Sequence, residues 1–326
     1  MNPFEYIEPG SLEEAAALLA EDPSGTKPIA GGTDLLAEVK DGIERPRRLV
    51  SLAGLKELQG VRSQNGHTRL GAGLTLTQLC EDSRLQRDYP ILVQAAYTIA
   101  TPQVRNIGTL GGNLCQRPRC WYYRHPLFPC YKKGGSICYG ATGHNRNLAI
   151  LGGGASFMVH PSDMAPALIA ADAQLEAFGP QGFRIMPLEE FFASPEDQPL
   201  QEHVLDKGEV VTSVLLPTPS QNTKSVYLKA RDRVSEDFAL ASVAASVTLD
   251  GRTIIKANII LGGVAPTPYR AHLAEESIVG KEIGDLDLQQ TANLAVHGAR
   301  PLRYNEYKVS LTANLVRRAL QGLLNL

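Results

Sequence analysis

Arg105-Asn106-Ile107-Gly108-Thr109-Leu110-Gly111-Gly112-Asn113-Leu114 gathers three glycines, a hydroxyl and two amides into ten consecutive residues. Side chains this small let a flat ring or a phosphate chain come close to the backbone, although an ordinary tight turn can have the same composition. A second glycine site lies upstream. Lys27-Pro28-Ile29-Ala30 reads as a brief strand, Gly31-Gly32 as a turn, and Thr33-Asp34 as the start of a helix carrying Leu35, Leu36 and Val39. Successive glycines let amide N–H groups converge on one point, and a helix dipole adds positive charge there, which suits a pyrophosphate. Asp34 would repel a phosphate, so its carboxylate is expected to cap backbone donors or take a ligand hydroxyl. Neither site is a G-x-G-x-x-G fingerprint or a Walker A loop, which disfavours a nicotinamide-binding Rossmann domain.

Directly after the first stretch comes a cysteine run, C-x4-C-x9-C-x7-C, formed by Cys115, Cys120, Cys130 and Cys138. Four soft thiolates suit iron–sulfur or zinc. The long gaps fit paired zinc knuckles poorly, and Tyr123 stands where a plant-type ferredoxin has its third cysteine. A [4Fe-4S] cluster is the preferred reading, with zinc or free thiols as the alternatives. No acidic residue occurs between Asp88 and Asp163, while Arg105, Arg117, Arg119, Arg124, Lys132, Lys133 and Arg146 do. That balance predicts an anionic guest, or else a solvated basic loop. Trp121, Tyr122, Tyr123, Phe128, Tyr131 and Tyr139 either shield a cluster from water or pack the loop down.

The remaining chain is less distinctive. Its 326 residues are 43% apolar and 20% charged with a formal charge of -2, enough for roughly two domains and no signal for a polyanion partner. The stretch Leu148 to Val159 is broken by Gly152, Gly153 and Gly154, too short for a bilayer span. The N-terminus lacks the basic and apolar regions of an export signal, which predicts a cytoplasmic protein, or a periplasmic one only if a signal-bearing partner carries it. Ser11 with Glu14 predicts a capped helix, and Arg48 to Leu52 a strand, so the start alternates like an α/β unit. Strands are expected over Thr68 to Leu76 and Gly208 to Leu216, and a buried helix over Ile91 to Ala100. The polar stretch Thr218 to Thr223 marks a domain boundary. Beyond it, Val226 to Lys229, Ala239 to Leu249 and Ile254 to Leu261 read as an antiparallel sheet, followed by a helix with Leu315, Val316, Ala319, Leu320 and Leu323 on one stripe.

Read singly, the other candidates have plain explanations. Ser162 and Asp163 in His160-Pro161-Ser162-Asp163 can be helix caps, and Lys229 a solvated charge. Cys80 reads as a core residue, and His125 and His144 as loop residues. No Ser-His-Asp or paired-carboxylate constellation can be assembled.

Taken together, Ala30-Gly31-Gly32-Thr33-Asp34-Leu35-Leu36, Arg105 through Leu114, Ser162-Asp163-Met164-Ala165-Pro166 and Leu261-Gly262-Gly263-Val264-Ala265 resemble the FAD-binding medium subunit of molybdenum hydroxylases, the xanthine dehydrogenase family. The order and spacing cover nearly the whole chain. The cysteine-rich insertion resembles that of 4-hydroxybenzoyl-CoA reductase and the bacterial aldehyde oxidoreductases, whose flavin subunits carry an extra [4Fe-4S] cluster. The resemblance implies an α+β chain. A two-part FAD-binding domain of the vanillyl-alcohol-oxidase-like fold spans residues 1–217, with the insertion at about 114–147. A smaller C-terminal α+β domain with an antiparallel sheet and helices spans 223–326. By analogy, Ile29, Ala30, Gly31, Gly32, Thr33, Asp34 and Leu35 embrace the pyrophosphate, and Ala100, Val104, Gly108, Thr109, Gly112 and Asn113 line the flavin and its phosphates. Asp163 with Ser162 anchors the adenosine end, and Lys229 approaches the isoalloxazine from the second domain. Relatives with the insertion take their last cysteine from about where Asn147 or Ser156 stands, so Cys115 is expected to substitute beside Cys120, Cys130 and Cys138.

The implied function is electron transfer within an oxidoreductase whose molybdopterin-binding large subunit and [2Fe-2S] small subunit are separate chains. Two rivals remain: a zinc-bearing interaction module without redox activity, and a self-sufficient flavin dehydrogenase.

Overall fold

The computed structural model describes residues 2–64 and 66–325. Its first lobe is built on parallel strands β1 (Glu5–Ile7), β2 (Thr26–Ile29) and β3 (Arg48–Ser51) in the order β1-β3-β2. Parallel neighbours need crossovers, supplied here by helices α1 (Leu12–Glu21) and α2 (Leu35–Asp41). Ser11 caps α1 by accepting from the Glu14 amide at 3.2 Å, whereas the Glu14 carboxylate reaches past Ser11 to the Gly10 amide. Leu12, Ala15 and Leu19 from α1 bury against Val50, Leu55 and Leu58.

The second lobe is an antiparallel sheet of β4 (Val61–Gln64), β5 (His67–Gly71), β6 (Gln174–Gly179), β7 (Gly182–Pro187) and β8 (Val210–Pro217), in the order β4-β5-β8-β6-β7. The strand expected as far as Leu76 ends at Gly71, because Thr75 and Gln78 form a reciprocal capping box that starts α3 (Leu76–Glu81). Helices α4 (Ser83–Asp88), α5 (Pro90–Tyr97), α6 (Pro102–Ile107), α7 (Leu110–Leu114), α8 (Trp121–Arg124) and α9 (Met164–Ala170) follow before β6. Leu79, Leu92, Leu110, Leu168, Leu175 and Val214 share the core they form with the sheet.

The polar stretch after Pro217 leads into the third unit, where β9 (Thr223–Ala230), β10 (Ala241–Asp250), β11 (Thr253–Gly262) and β12 (Tyr269–Arg270) run antiparallel in the order β12-β11-β10-β9. On β10, Ala241, Val243, Ala245 and Val247 face a core shared with α10 (His272–Ile278), α11 (Leu288–Ala295) and α12 (Tyr307–Leu324). Ala244, with Ile260 and Tyr227, joins the core of the preceding lobe instead. A sheet covered on both faces explains why β10 and β11 read as nearly continuous apolar runs. It also joins the third unit firmly to α5 and α9. The architecture is therefore mixed α+β, with a two-lobed first part and a smaller second part. Among the described residues no helix is long and apolar enough to cross a membrane.

Candidate functional site

Both glycine turns open onto one cavity of about 1390 Å³, lying between the first lobe, the α6–α7 segment and the loop after β9. Their meeting point is a steric constraint. A Cβ on Gly31 would overlap the carbonyl oxygen of Ile107, so only glycine lets the two turns touch. Gly32 adopts φ +71, which turns the chain from β2 toward α2. The second turn is strapped from behind: the Leu110 and Gly111 amides donate to the Leu74 and Ala72 carbonyls at 2.8 Å each. Thr109 Oγ1 accepts from the Gly112 amide at 3.2 Å. Helix α2 has seven residues and α7 five, so the glycine backbone rather than a long helix dipole would supply donors to an anion.

Residues 29–35, Ala100, Val104, Gly108, Thr109, Gly112, Asn113, Asp163 and Lys229 all line this cavity. Ser162 stands one layer behind, donating from its hydroxyl to Asn113 Oδ1 at 2.6 Å and accepting from the Ala165 amide in the first turn of α9, whose cap position is taken by Asp163. Ala100 holds φ +43, and its carbonyl accepts from the Glu236 amide at 3.3 Å. The loop after β9 is thereby tied to the cavity wall.

Lys229 is not the solvated charge that its sequence context suggests. Its Nζ lies 2.7 Å from Asp163 Oδ2, with both side chains almost fully buried, and also donates to the Thr98 carbonyl. Tyr227 OH donates to Asp163 Oδ1 at 2.5 Å, and burial together with that carboxylate pushes the phenol well above its ordinary range. The residues expected at opposite ends of a cofactor thus share one ion pair. Tyr227 was invisible in sequence because a strand tyrosine carries no distinguishing spacing.

The acid-free interval is acid-free only along the chain. Arg119 Nη1 and Arg124 Nη2 lie 2.8 and 2.7 Å from Asp34 Oδ1, and the Arg117 amide donates to Asp34 Oδ2 at 2.7 Å. Arg117 and Lys132 pair with the buried Glu202, and Arg146 with Asp232. Much of the basic charge read as a cradle for an anion is therefore neutralised by carboxylates from other segments. Asp34 does meet a backbone donor as expected, but from the insertion and not from its own helix.

The cysteines divide. Cys120, Cys130 and Cys138 are close enough that the charges of Cys138 and Cys130 raise Cys120, after the larger effect of burial. The Phe157 amide points at Cys138 Sγ at 3.5 Å. Cys115 instead packs on the central core and lines the cavity, its thiol pushed up to about 12 by burial. Among the described residues no three His, Cys, Asp or Glu side chains are gathered tightly enough to hold a metal ion. Tyr122 stacks on Tyr139, Phe128 meets both edge-on and the three pack the loop, while Trp121 is 78% exposed. The side chains as placed therefore fit a dinucleotide along the glycine turns, and do not form a closed metal site.

Comparison with known proteins agrees with the dinucleotide reading. The family described as FAD binding domain in molybdopterin dehydrogenase matches residues 2–120 and 128–219, and the CO dehydrogenase flavoprotein C-terminal domain matches residues 225–323. The aldehyde oxidoreductase FAD-binding subunit PaoB of Escherichia coli (strain K12) is 36% identical over 323 residues, covering 98% of either chain. The carbon monoxide dehydrogenase medium chain of Hydrogenophaga pseudoflava is 30% identical over 324 residues, 98% of this chain and 96% of the relative. A solved carbon monoxide dehydrogenase from Hydrogenophaga pseudoflava, in the form lacking the Mo-pyranopterin moiety, matches with a TM-score of 0.80 at 27% identity, over 100% of this chain and 99% of that one.

Proposed function

The chain belongs to the FAD-binding medium subunits of the molybdenum hydroxylases, the carbon monoxide dehydrogenase and xanthine dehydrogenase family, and from that premise we propose that it is the electron-transfer subunit of such an oxidoreductase. The observation that carries this reading is the contact of Gly31 with the Ile107 carbonyl, which brings both glycine turns together in the lining of a cavity of about 1390 Å³, ample in volume for a dinucleotide. In that arrangement the turn at residues 30–33 would present its amides to the pyrophosphate, while the amides of Gly108, Leu110, Gly111 and Gly112, already bonded within the protein, hold the second turn rigid against it. Ser162 fixes the Asn113 side chain, and the Asp163–Lys229 pair closes one side without leaving net charge there. FAD, when bound, exchanges electrons singly or in pairs and so joins iron–sulfur centres to an external acceptor or donor.

Substrate chemistry is assigned to partner chains, a molybdopterin-binding large subunit and a [2Fe-2S] small subunit. With five cysteines, four of them in one segment, this chain has no second set for a [2Fe-2S] domain. The division at residues 217–223 into a FAD-binding part and a C-terminal flavoprotein part belongs to the same reading. The extra [4Fe-4S] cluster is kept as a proposal on Cys120, Cys130 and Cys138, which lie near one another in the insertion; closing a site there requires the loop to draw these thiols together. Anaerobic purification with any associated chains, followed by heat release and quantitation of flavin, tests the main reading. One FAD per chain is the expected result, and a flavin-free preparation that takes up no added FAD contradicts it.

A further inference from the structure

Asp34 occupies the position before α2 where a capping carboxylate is expected, yet its side chain makes no bond to that helix. Both oxygens are taken by the insertion, by the Arg117 amide on Oδ2 and by Arg124 and Arg119 on Oδ1. One helical turn later Glu38, buried, accepts from Tyr123 OH at 2.7 Å, and Arg124 lies 3.6 Å away. Residues four apart share one helix face, so the start of α2 is gripped along a single stripe by segment 117–124. Arg124 orders that segment in turn, donating from Nε to the Pro118 carbonyl at 2.8 Å. The glycine turn immediately before Asp34 is thus fixed twice, at Gly31 by the Ile107 carbonyl and at Asp34 by the cysteine-rich insertion.

We propose that Asp34 is a positioning residue that couples the order of the insertion to retention of FAD, acting through the glycine turn and not on the cofactor itself. This rests on the FAD reading above. A carboxylate already holding three donors has little capacity left for a ribose hydroxyl, whereas releasing it would free the turn on its α2 side. Coupling between two sites is reciprocal. If an ordered insertion tightens FAD, bound FAD protects the insertion by the same factor.

The full-length wild-type chain tests this without a variant, by hydrogen exchange of the amides of 117–124 with and without saturating FAD. Exchange at the Arg117 amide is expected to slow by about tenfold, within the roughly 5- to 150-fold range of ordinary site–site coupling. Asp34→Asn keeps the size and removes the charge; it is expected to raise the FAD dissociation constant by a similar factor and to abolish the protection. Unchanged exchange in a wild-type chain that binds FAD stoichiometrically overturns the coupling and leaves the FAD reading standing, as does an Asp34→Asn chain binding FAD as tightly as wild type. A wild-type chain that binds no FAD overturns both.

Discussion

Lys229 Nζ lies 2.7 Å from Asp163 Oδ2, so that a strand of the second part and the residue preceding α9 of the first are joined by an almost fully buried ion pair. The pair is completed by the Tyr227 hydroxyl on the carboxylate and the Thr98 carbonyl on the ammonium. It sits on the wall of the cavity and across the seam where β9 packs on α5, linking the geometry of the site to the docking of the two parts.

Removing one member of such a pair leaves a buried charge unpaired, at a cost of about 3–5 kcal/mol. Lys229→Met is expected to lower the unfolding free energy by that order, and the double variant Lys229→Met with Asp163→Asn by clearly less than the sum of the single changes. Urea unfolding of all four proteins measures the coupling. A strictly additive result would mean the pair is not the clamp described here.

Gly31 makes the second prediction. Gly31→Ala places a methyl group on the Ile107 carbonyl, and relief requires the two glycine turns to separate. Overpacking of this kind costs about 1–3 kcal/mol, and the loss is expected to appear in FAD affinity more than in thermal stability, because the turns are what move. Gly32→Ala provides the contrast: its penalty is that of φ +71, about 1–2 kcal/mol. Flavin content and melting temperature of the two variants separate the effects.

How much of this was legible depends on whether the signal was local. The capped helix α1, β2, β3, the end of β8 at Pro217 and the stripe of α12 each follow from neighbouring residues and appear where the sequence puts them. The β6–β7 hairpin was missed because Phe183 and Ile185 face solvent, 62% and 55% exposed, which blurs the alternation that marks a half-buried strand. The glycine turns were legible because only glycine permits their contact. The partners of Arg117, Arg119 and Arg124 were not, since Asp34, Glu38 and Glu202 arrive from distant segments. An interval without acids in sequence says little about charge in space.

The segment leading into Ser162 and Asp163 makes stability depend on pH. His160, edge-on to Phe192 with ring centroids 4.8 Å apart, is held neutral by burial with a pKa of about 3, and His203, stacked on Phe191, with a pKa of about 4. Unfolded histidine takes up its proton near pH 6.5. Above that pH neither state gains a proton and stability is full. As pH falls from 6.5 toward 4 the unfolded chain binds two protons that the folded chain refuses, and stability is lost by about 1.4 kcal/mol per pH unit for each histidine. Urea midpoints at pH 7.5, 6 and 5 are expected to fall accordingly, with the slope reduced in His203→Phe. A flat profile over this range would show that neither ring is kept neutral.

The division among the cysteines gives the last prediction. Cys115 is partly buried, packed against the core on the cavity wall, with its thiol raised to about 12, so at pH 8 almost none of it is thiolate and it is expected to alkylate slowly in the native chain. Any iron bound by the insertion should then follow the other three thiols. Cys115→Ser is expected to leave the iron content of an anaerobically prepared sample unchanged, whereas Cys120→Ser, Cys130→Ser and Cys138→Ser should each lower it. Cys138 is the most telling of the three, because the Phe157 amide donates to its sulfur at 3.5 Å and ties it to the segment after the insertion. Iron and acid-labile sulfide measured across the four variants decide the assignment. Loss of iron in Cys115→Ser alone would require α7 to unwind and bring that residue to the others.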